Sequence, residues 1–306
     1  MSPPSVTRDC RLLCASGCAY YIVGTKYQPL PGDRYGPVVG YLSPPTPIAA
    51  GDDLIDACLV GANADGVIVA FRGTLPPSWQ SWPSMLDWLQ DLMCEPESRP
   101  DLPGKVHTGF YDATSATIAD VAAKVKGLNP DGTKQVYVTG HSLGGAMAAI
   151  SAWLLQASYG IKIAQVMTFA APKPGDGAFQ AAYQKVFTNH VRYENYDDVV
   201  PLLPPADDFI KLAAAIPVLG ELFKQAENWD YQPVGTLSYI NSASNGYRIV
   251  SDPSMAERLG DIVYELARDI YDEDFSSFGN AHSCLCGYGY MSGTCPAAVC
   301  QTAAHA

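Results

Sequence analysis

Charge is scarce in this chain and lopsided: Asp, Glu, Lys and Arg make up 16% of 306 residues, and 31 acids face 19 bases. A formal net charge of -12 removes the attraction that phosphate backbones and anionic bilayers depend on, so a nucleic-acid partner is excluded and neutral ligands are favoured. Long apolar runs are missing as well. The nearest approach to the roughly 18 residues of a spanning helix is Phe209 to Phe223, which Lys211, Pro217 and Glu221 interrupt, so no transmembrane segment is expected. Internal repeats, low-complexity tracts and long linkers are absent. A clear signal sequence is also lacking, since Arg8 and Arg11 ahead of Leu12 to Val23 only imitate one. No Cys-x-x-Cys knuckle occurs among the nine cysteines, so no metal is expected, and their odd number excludes complete internal pairing.

What is present suits one compact unit, 1–306: 48% of residues are hydrophobic, and open α/β sheets often run to this length as a single domain. Cys10, Cys14 and Cys18 recur every four residues, which predicts an amphipathic helix that packs them as small apolar side chains. Gln28 to Ala50, rich in Pro and Gly, reads as an extended surface segment. Leu54 to Gly61 and Val67 to Phe71 are β-rich runs around Asp65-Gly66, a hairpin signal. Helical spacing in Thr108 to Leu128, Leu143 to Ser158 and Asp176 to Val186 then alternates with apolar strands at Gln135 to Thr139, Ile161 to Ala170 and Val191 to Tyr193. This rhythm predicts an α/β fold with a mostly parallel central sheet covered by helices on both faces.

Gly140-His141-Ser142-Leu143-Gly144 falls where the strand Val136 to Thr139 gives way to an alanine-rich helix, the context of a nucleophile elbow. A serine on that strained turn needs small residues two places to either side so that the backbones can pass, and Gly140 and Gly144 supply them. Its hydroxyl also needs a base, and the order along the chain in this architecture is serine, acid, histidine. Of the histidines, only His282 and His305 follow Ser142 at sufficient distance; His305 is penultimate, which leaves His282 in a loop after the helical pattern Met255 to Tyr271. Either Asp197 or Asp198, after Val191 to Tyr193, can emerge at a strand's C-terminal edge as the acid. Asp207 and Asp208 read better as a solvated turn after Pro204-Pro205. Oxyanion donors are expected at the backbone N–H of Leu143 and at Thr74, which ends Phe71-Arg72-Gly73-Thr74 after a strand.

Those segments, with Val106-His107-Thr108-Gly109-Phe110 and Asp198-Val199-Val200-Pro201, resemble in order the class 3 lipases, whose best-known members are fungal triacylglycerol lipases. The resemblance spans roughly residues 50 to 285. It implies an α/β-hydrolase fold and cofactor-free hydrolysis of carboxylic esters, acylglycerols foremost, with Ser142 as nucleophile, Asp198 as acid, His282 as base, and Thr74 and Leu143 as oxyanion hole. Feruloyl esterases and phospholipases belong to the same family, so the substrate is left open. Two departures stand out: Asp197 replaces the usual asparagine, and a cysteine-rich Ser-Cys-Leu-Cys-Gly-Tyr follows His282 where fungal members end in aromatics. Family members carry a mobile lid at 75–93. Here that stretch holds Trp79, Trp82, Met85 and Leu86 as candidate lipid-facing residues at a lipid–water interface, whereas Trp88 to Leu92 fits a buried helix equally well.

Overall fold

Thr7, in extended backbone, accepts the Cys10 N–H through its hydroxyl and so opens α1 (Arg8–Ala19), the helix predicted from the cysteine spacing. Cys10, Cys14 and Cys18 are all fully buried. Cys14 and Cys18 pack as small apolar thiols, whereas Cys10 forms a disulfide to Cys295, 285 residues away. The computed structural model describes residues 6–51, 56–74, 89–90, 92–214, 217–243, 246–251, 253–272 and 276–300. Within them follow β1 (Ile22–Val23), β2 (Lys26–Tyr27), α2 (Tyr35–Val39), β3 (Thr46–Ala50), β4 (Asp56–Ala62), β5 (Val67–Phe71), β6 (Pro96–Ser98), β7 (Lys105–His107) and α3 (Thr108–Leu128). Next come β8 (Val136–His141), α4 (Leu143–Ala157), β9 (Gln165–Phe169), β10 (Gly175–Asp176), α5 (Gly177–Val186) and β11 (His190–Asn195). The remainder is α6 (Asp207–Ala213), α7 (Pro217–Lys224), β12 (Tyr231–Gln232), β13 (Thr236–Ala243), β14 (Gly246–Val250), α8 (Met255–Asp272), α9 (Ser276–His282), a π-helical turn (Cys284–Gly289) and α10 (Ala297–Cys300).

An eight-stranded sheet runs in the order β14-β13-β11-β9-β8-β5-β4-β3. Its five middle strands, β13 to β5 in that order, are parallel, and β14, β4 and β3 add antiparallel edges. Side chains alternate across it: Val67, Val69, Phe71, Val136 and Val138 join the core under α3 and α4, while Ile68, Ala70 and Tyr137 join the core under α1 and the C-terminal segment. Both faces are thus covered, which is why β5 and β8 are buried end to end. The hairpin predicted at Asp65-Gly66 pairs Ala62 with Val67, and Asn63 closes it by accepting the Asp65 and Gly66 N–H groups.

The structure departs from the sequence reading in several places. Gln28 to Ala50 is more than an extended surface segment, since it contains α2 and the strand β3, whose one proline, Pro47, sits at an edge where a missing N–H is tolerated. The strand predicted over Ile161 to Ala170 forms only at Gln165–Phe169, and β11 is longer than Val191 to Tyr193. Asp207 and Asp208 occupy the exposed first turn of α6, where acids suit the helix dipole. The Phe209 and Phe223 rings meet at 5.5 Å, tilted by 39°, within the main core, so this apolar stretch contributes packing. A second, small antiparallel sheet, β12-β10-β7-β6, lies outside the expected scheme.

Candidate active site

The β8 to α4 turn puts Ser142 at φ 58° and ψ -137°, backbone that a non-glycine residue adopts only under strain. The close approach expected of its neighbours is explicit: a Cβ on Gly140 would lie 2.0 Å from the Gly144 carbonyl oxygen, and one on Gly144 would lie 2.3 Å from that of Phe71. His282 is the last residue of α9, not part of a loop, and its Nε2 stands 3.1 Å from Ser142 Oγ. Its Nδ1 is 2.9 Å from Asp198 Oδ2. A carboxylate only accepts, so Nδ1 carries the ring proton and Nε2 is left to accept the Ser142 hydroxyl.

Of the two adjacent aspartates, Asp198 is the one that meets His282. It is fully buried and accepts three donors: His282 Nδ1, the Tyr288 hydroxyl at 2.7 Å and the Val200 N–H at 3.0 Å. Asp197 turns toward α8. There burial, with the nearby carboxylates of Glu265 and Asp269, pushes its carboxyl up to about 7 against the opposing pull of Arg268.

Several supporting residues have no counterpart in the sequence reading. His141 Nε2 is 2.5 Å from the His282 carbonyl oxygen, and its Nδ1 is 2.8 Å from the Tyr20 hydroxyl. The carbonyl must accept, so His141 donates from Nε2 and takes the Tyr20 proton at Nδ1; burial, reinforced by the neighbouring His282, keeps the ring neutral. Beyond Asp198, the buried Lys173 ammonium donates to the carbonyls of Leu202 (2.9 Å) and Pro204 (3.1 Å), closing the loop that follows Asp198. Burial draws its pKa down to about 7. For Tyr288, Tyr20 and Lys173 no sequence signal exists, because each acts through a contact set by tertiary structure.

Leu143 is the first residue of α4, so its N–H belongs to the first-turn amides that lack an intrahelical acceptor. Two cavities meet at Thr74. One, of about 310 Å³, is lined by Phe110, Ala113, Leu143 and Met147 with Asp56 and Arg72. The other, of about 330 Å³, reaches Ser142 and His282. Trp79, Trp82, Met85 and Leu86 lie outside the described residues; Leu89 and Leu92, at the end of the same stretch, are buried in the main core. Among the described residues the one group with metal-ligand spacing is Cys10, Cys14 and Cys295, two of which form the disulfide.

Residues 68–208 match the family model of the class 3 lipases. The lipase of Rhizomucor miehei is 34% identical over 155 residues, an alignment covering 48% of this chain and 39% of that protein. The secreted mono- and diacylglycerol lipase 3 of Gibberella zeae is 29% identical over 163 residues, covering 51% of this chain and 50% of the relative. The chain thus spans half or less of the length of these curated relatives. Among solved structures, the N225Q mutant of MDLA from Penicillium cyclopium superposes with a TM-score of 0.58 at 19% identity, covering 82% of this chain and 87% of that one. No described helix is long and apolar enough to cross a membrane. On an α/β-hydrolase fold, the segment running from β5 through the elbow to the start of α6 is the part of the chain that matches the class 3 lipases.

Proposed function

We propose that this chain hydrolyses neutral carboxylic esters, acylglycerols foremost, through an acyl-enzyme on Ser142. Ser142 Oγ attacks the carbonyl carbon while His282 Nε2 takes its proton, and the Asp198 carboxylate holds the imidazole tautomer and offsets the imidazolium charge. The N–H of Leu143 and the backbone or hydroxyl of Thr74 receive the developing oxyanion. His282 then returns the proton to the leaving alcohol, and water repeats the sequence to release the acid. No step calls for a cofactor. The observation that carries the reading is the unbroken line from Ser142 Oγ through His282 to a buried Asp198, at 3.1 and 2.9 Å, on a strained elbow.

The whole chain, 1–306, acts as one unit in this reading, and 75–93 serves as a lid whose Trp79 and Trp82 meet a lipid–water interface. A soluble-ester preference is the second reading, favoured by the modest size of the two cavities, about 310 and 330 Å³. The test pairs fluorophosphonate labelling with a panel of triglyceride emulsions and soluble esters of rising chain length. Ser142→Ala should abolish labelling and lower turnover by roughly four orders of magnitude or more. Near wild-type turnover in that variant overturns the mechanism, and activity confined to monomeric esters moves the assignment to the esterase reading.

A further inference from the structure

Ester cleavage divides a substrate between the two cavities that meet at Thr74, given the hydrolase reading above. The proton held at His282 Nε2 must reach the leaving oxygen, so the alcohol half departs on the side of His282. The carbonyl oxygen faces Leu143 and Thr74. The acyl half takes the remaining direction, into the cavity of Phe110, Ala113, Leu143 and Met147. The second cavity, bounded by Ser142, His282 and Ser283, therefore belongs to the alcohol half, and its far wall is made of Tyr20, Tyr21 and Tyr35. We infer that this cavity is the leaving-alcohol subsite, and that Tyr21 and Tyr35 make it selective for neutral alcohols with a flat apolar face over phosphate-bearing ones.

The aromatic wall is built, not incidental. The Tyr35 ring lies directly on Gly17 of α1, where a Cβ would come within 2.4 Å of it. Asp33 Oδ1 accepts the Tyr35 N–H at 2.8 Å, and the Tyr21 ring meets the Tyr35 ring at 5.8 Å and 57°. The Tyr20 hydroxyl is committed to His141, so this residue too offers its ring to the cavity. Rings fixed in this way favour a stacking partner, at little ordering cost. Among the described residues no Lys or Arg lines the cavity. Behind the wall, Asp33 outweighs Arg34 in its effect on the Tyr21 hydroxyl, which burial and that carboxylate push up to about 12. A phosphodiester entering here finds no lining Lys or Arg among the described residues, with Asp33 behind the wall, whereas a neutral ring meets the tyrosine faces. A volume of about 330 Å³ accommodates a compact alcohol.

Acyl transfer reads this subsite apart from acyl binding. With vinyl octanoate as donor, every product comes from one octanoyl-enzyme. An acceptor alcohol gives its proton to His282 Nε2 while its oxygen bonds to the acyl carbon; the bond to Ser142 Oγ breaks, and that oxygen recovers the proton. The ratio of new ester to octanoic acid, per molar alcohol, reports how well the cavity holds the acceptor against water. Benzyl alcohol should exceed glycerol, and glycerophosphocholine should be the poorest acceptor. Tyr21→Ala, and independently Tyr35→Leu, should lower the benzyl alcohol to glycerol preference by about two- to ten-fold, the worth of an aromatic contact, and Tyr21→Phe should retain it. The same preference in both truncated variants as in the wild type, or glycerophosphocholine as the best acceptor, overturns the assignment. Complete absence of octanoate release, with no fluorophosphonate label on Ser142, would instead sink the hydrolase reading and the subsite with it.

Discussion

Tyr288→Phe removes a single oxygen atom and tests how Asp198 supports His282. The ring is fully buried, packed near His141 and Phe169, so the phenylalanine should occupy the same volume. What is lost is the 2.7 Å donation to Asp198 Oδ2, together with the acceptor for the Asn195 N–H at 3.2 Å. A hydrogen bond to a charged group is worth about 1.5–3 kcal/mol. At about 1.4 kcal/mol per factor of ten, its loss should cost up to about 10- to 100-fold in kcat/KM, because the carboxylate that orients His282 is then held by fewer donors. The assay is kcat/KM on a soluble short-chain ester at pH 8, with thermal unfolding run alongside. The expected result is a loss within that range, carried by kcat, with the melting temperature little changed. A lower melting temperature with unchanged kcat/KM would refute the reasoning and reduce Tyr288 to packing.

Asp198→Asn should cost about 10⁴-fold in kcat, whereas Asp197→Asn should leave most of it; equal losses in steady-state kinetics would overturn the distinction. Asp197 should also make stability depend on pH: its folded carboxyl keeps a proton up to about 7, where the unfolded chain has already released one. Its contribution is therefore full below about pH 4 and is lost as pH rises through 7. Asp197→Asn should accordingly raise stability to urea at pH 8 by roughly 1–3 kcal/mol, with its partial exposure allowed for, and no gain at pH 8 would sink this account. Reducing the Cys10–Cys295 disulfide, or replacing Cys295 by alanine, should lower stability to urea by about 2–5 kcal/mol; identical unfolding curves with and without reductant would count against the bridge. Trp79→Ser with Trp82→Ser should blunt any rise in rate at the substrate's solubility limit more than it slows a soluble ester; superimposable profiles would reject the lid.

The centre of the sheet was legible because its physics is local. Val67 to Phe71 and Val136 to Thr139 must be apolar on both faces to sit between helices, and that need writes itself into a short run of sequence. β14 is the opposite case: Gly246–Val250 is an exposed edge, so its β-forming Tyr247, Ile249 and Val250 carry no buried face whose alternation would mark a strand. The nucleophile elbow was legible for a different reason. Strain at Ser142 demands small residues at fixed offsets, and Gly140 and Gly144 meet that demand within five positions. His282 emerged by elimination, but its seat at the end of α9 did not, because Gly279-Asn280 reads as a helix breaker until tertiary packing overrides it.

What the sequence conceals is how the segments around α1 and after α9 converge on His282. His282 is held twice: at its ring by Asp198, and at its backbone carbonyl by His141, which is itself fixed by Tyr20 just beyond α1. The cysteine-rich ending then supplies Tyr288 to Asp198, across 90 residues of sequence, and Cys295 ties that ending back to Cys10 in α1. Each of these contacts joins residues too far apart for any periodic pattern to encode. The replacement of an aromatic ending by a cysteine-rich one thus has a structural reading: the disulfide secures, against the helix that leads into Tyr20 and Tyr21, the segment on which the Tyr288–Asp198 hydrogen bond depends. Loosening that clamp should consequently disturb the orientation of His282 before it disturbs the strained turn at Ser142, whose geometry is set by β8, β9 and the first turn of α4.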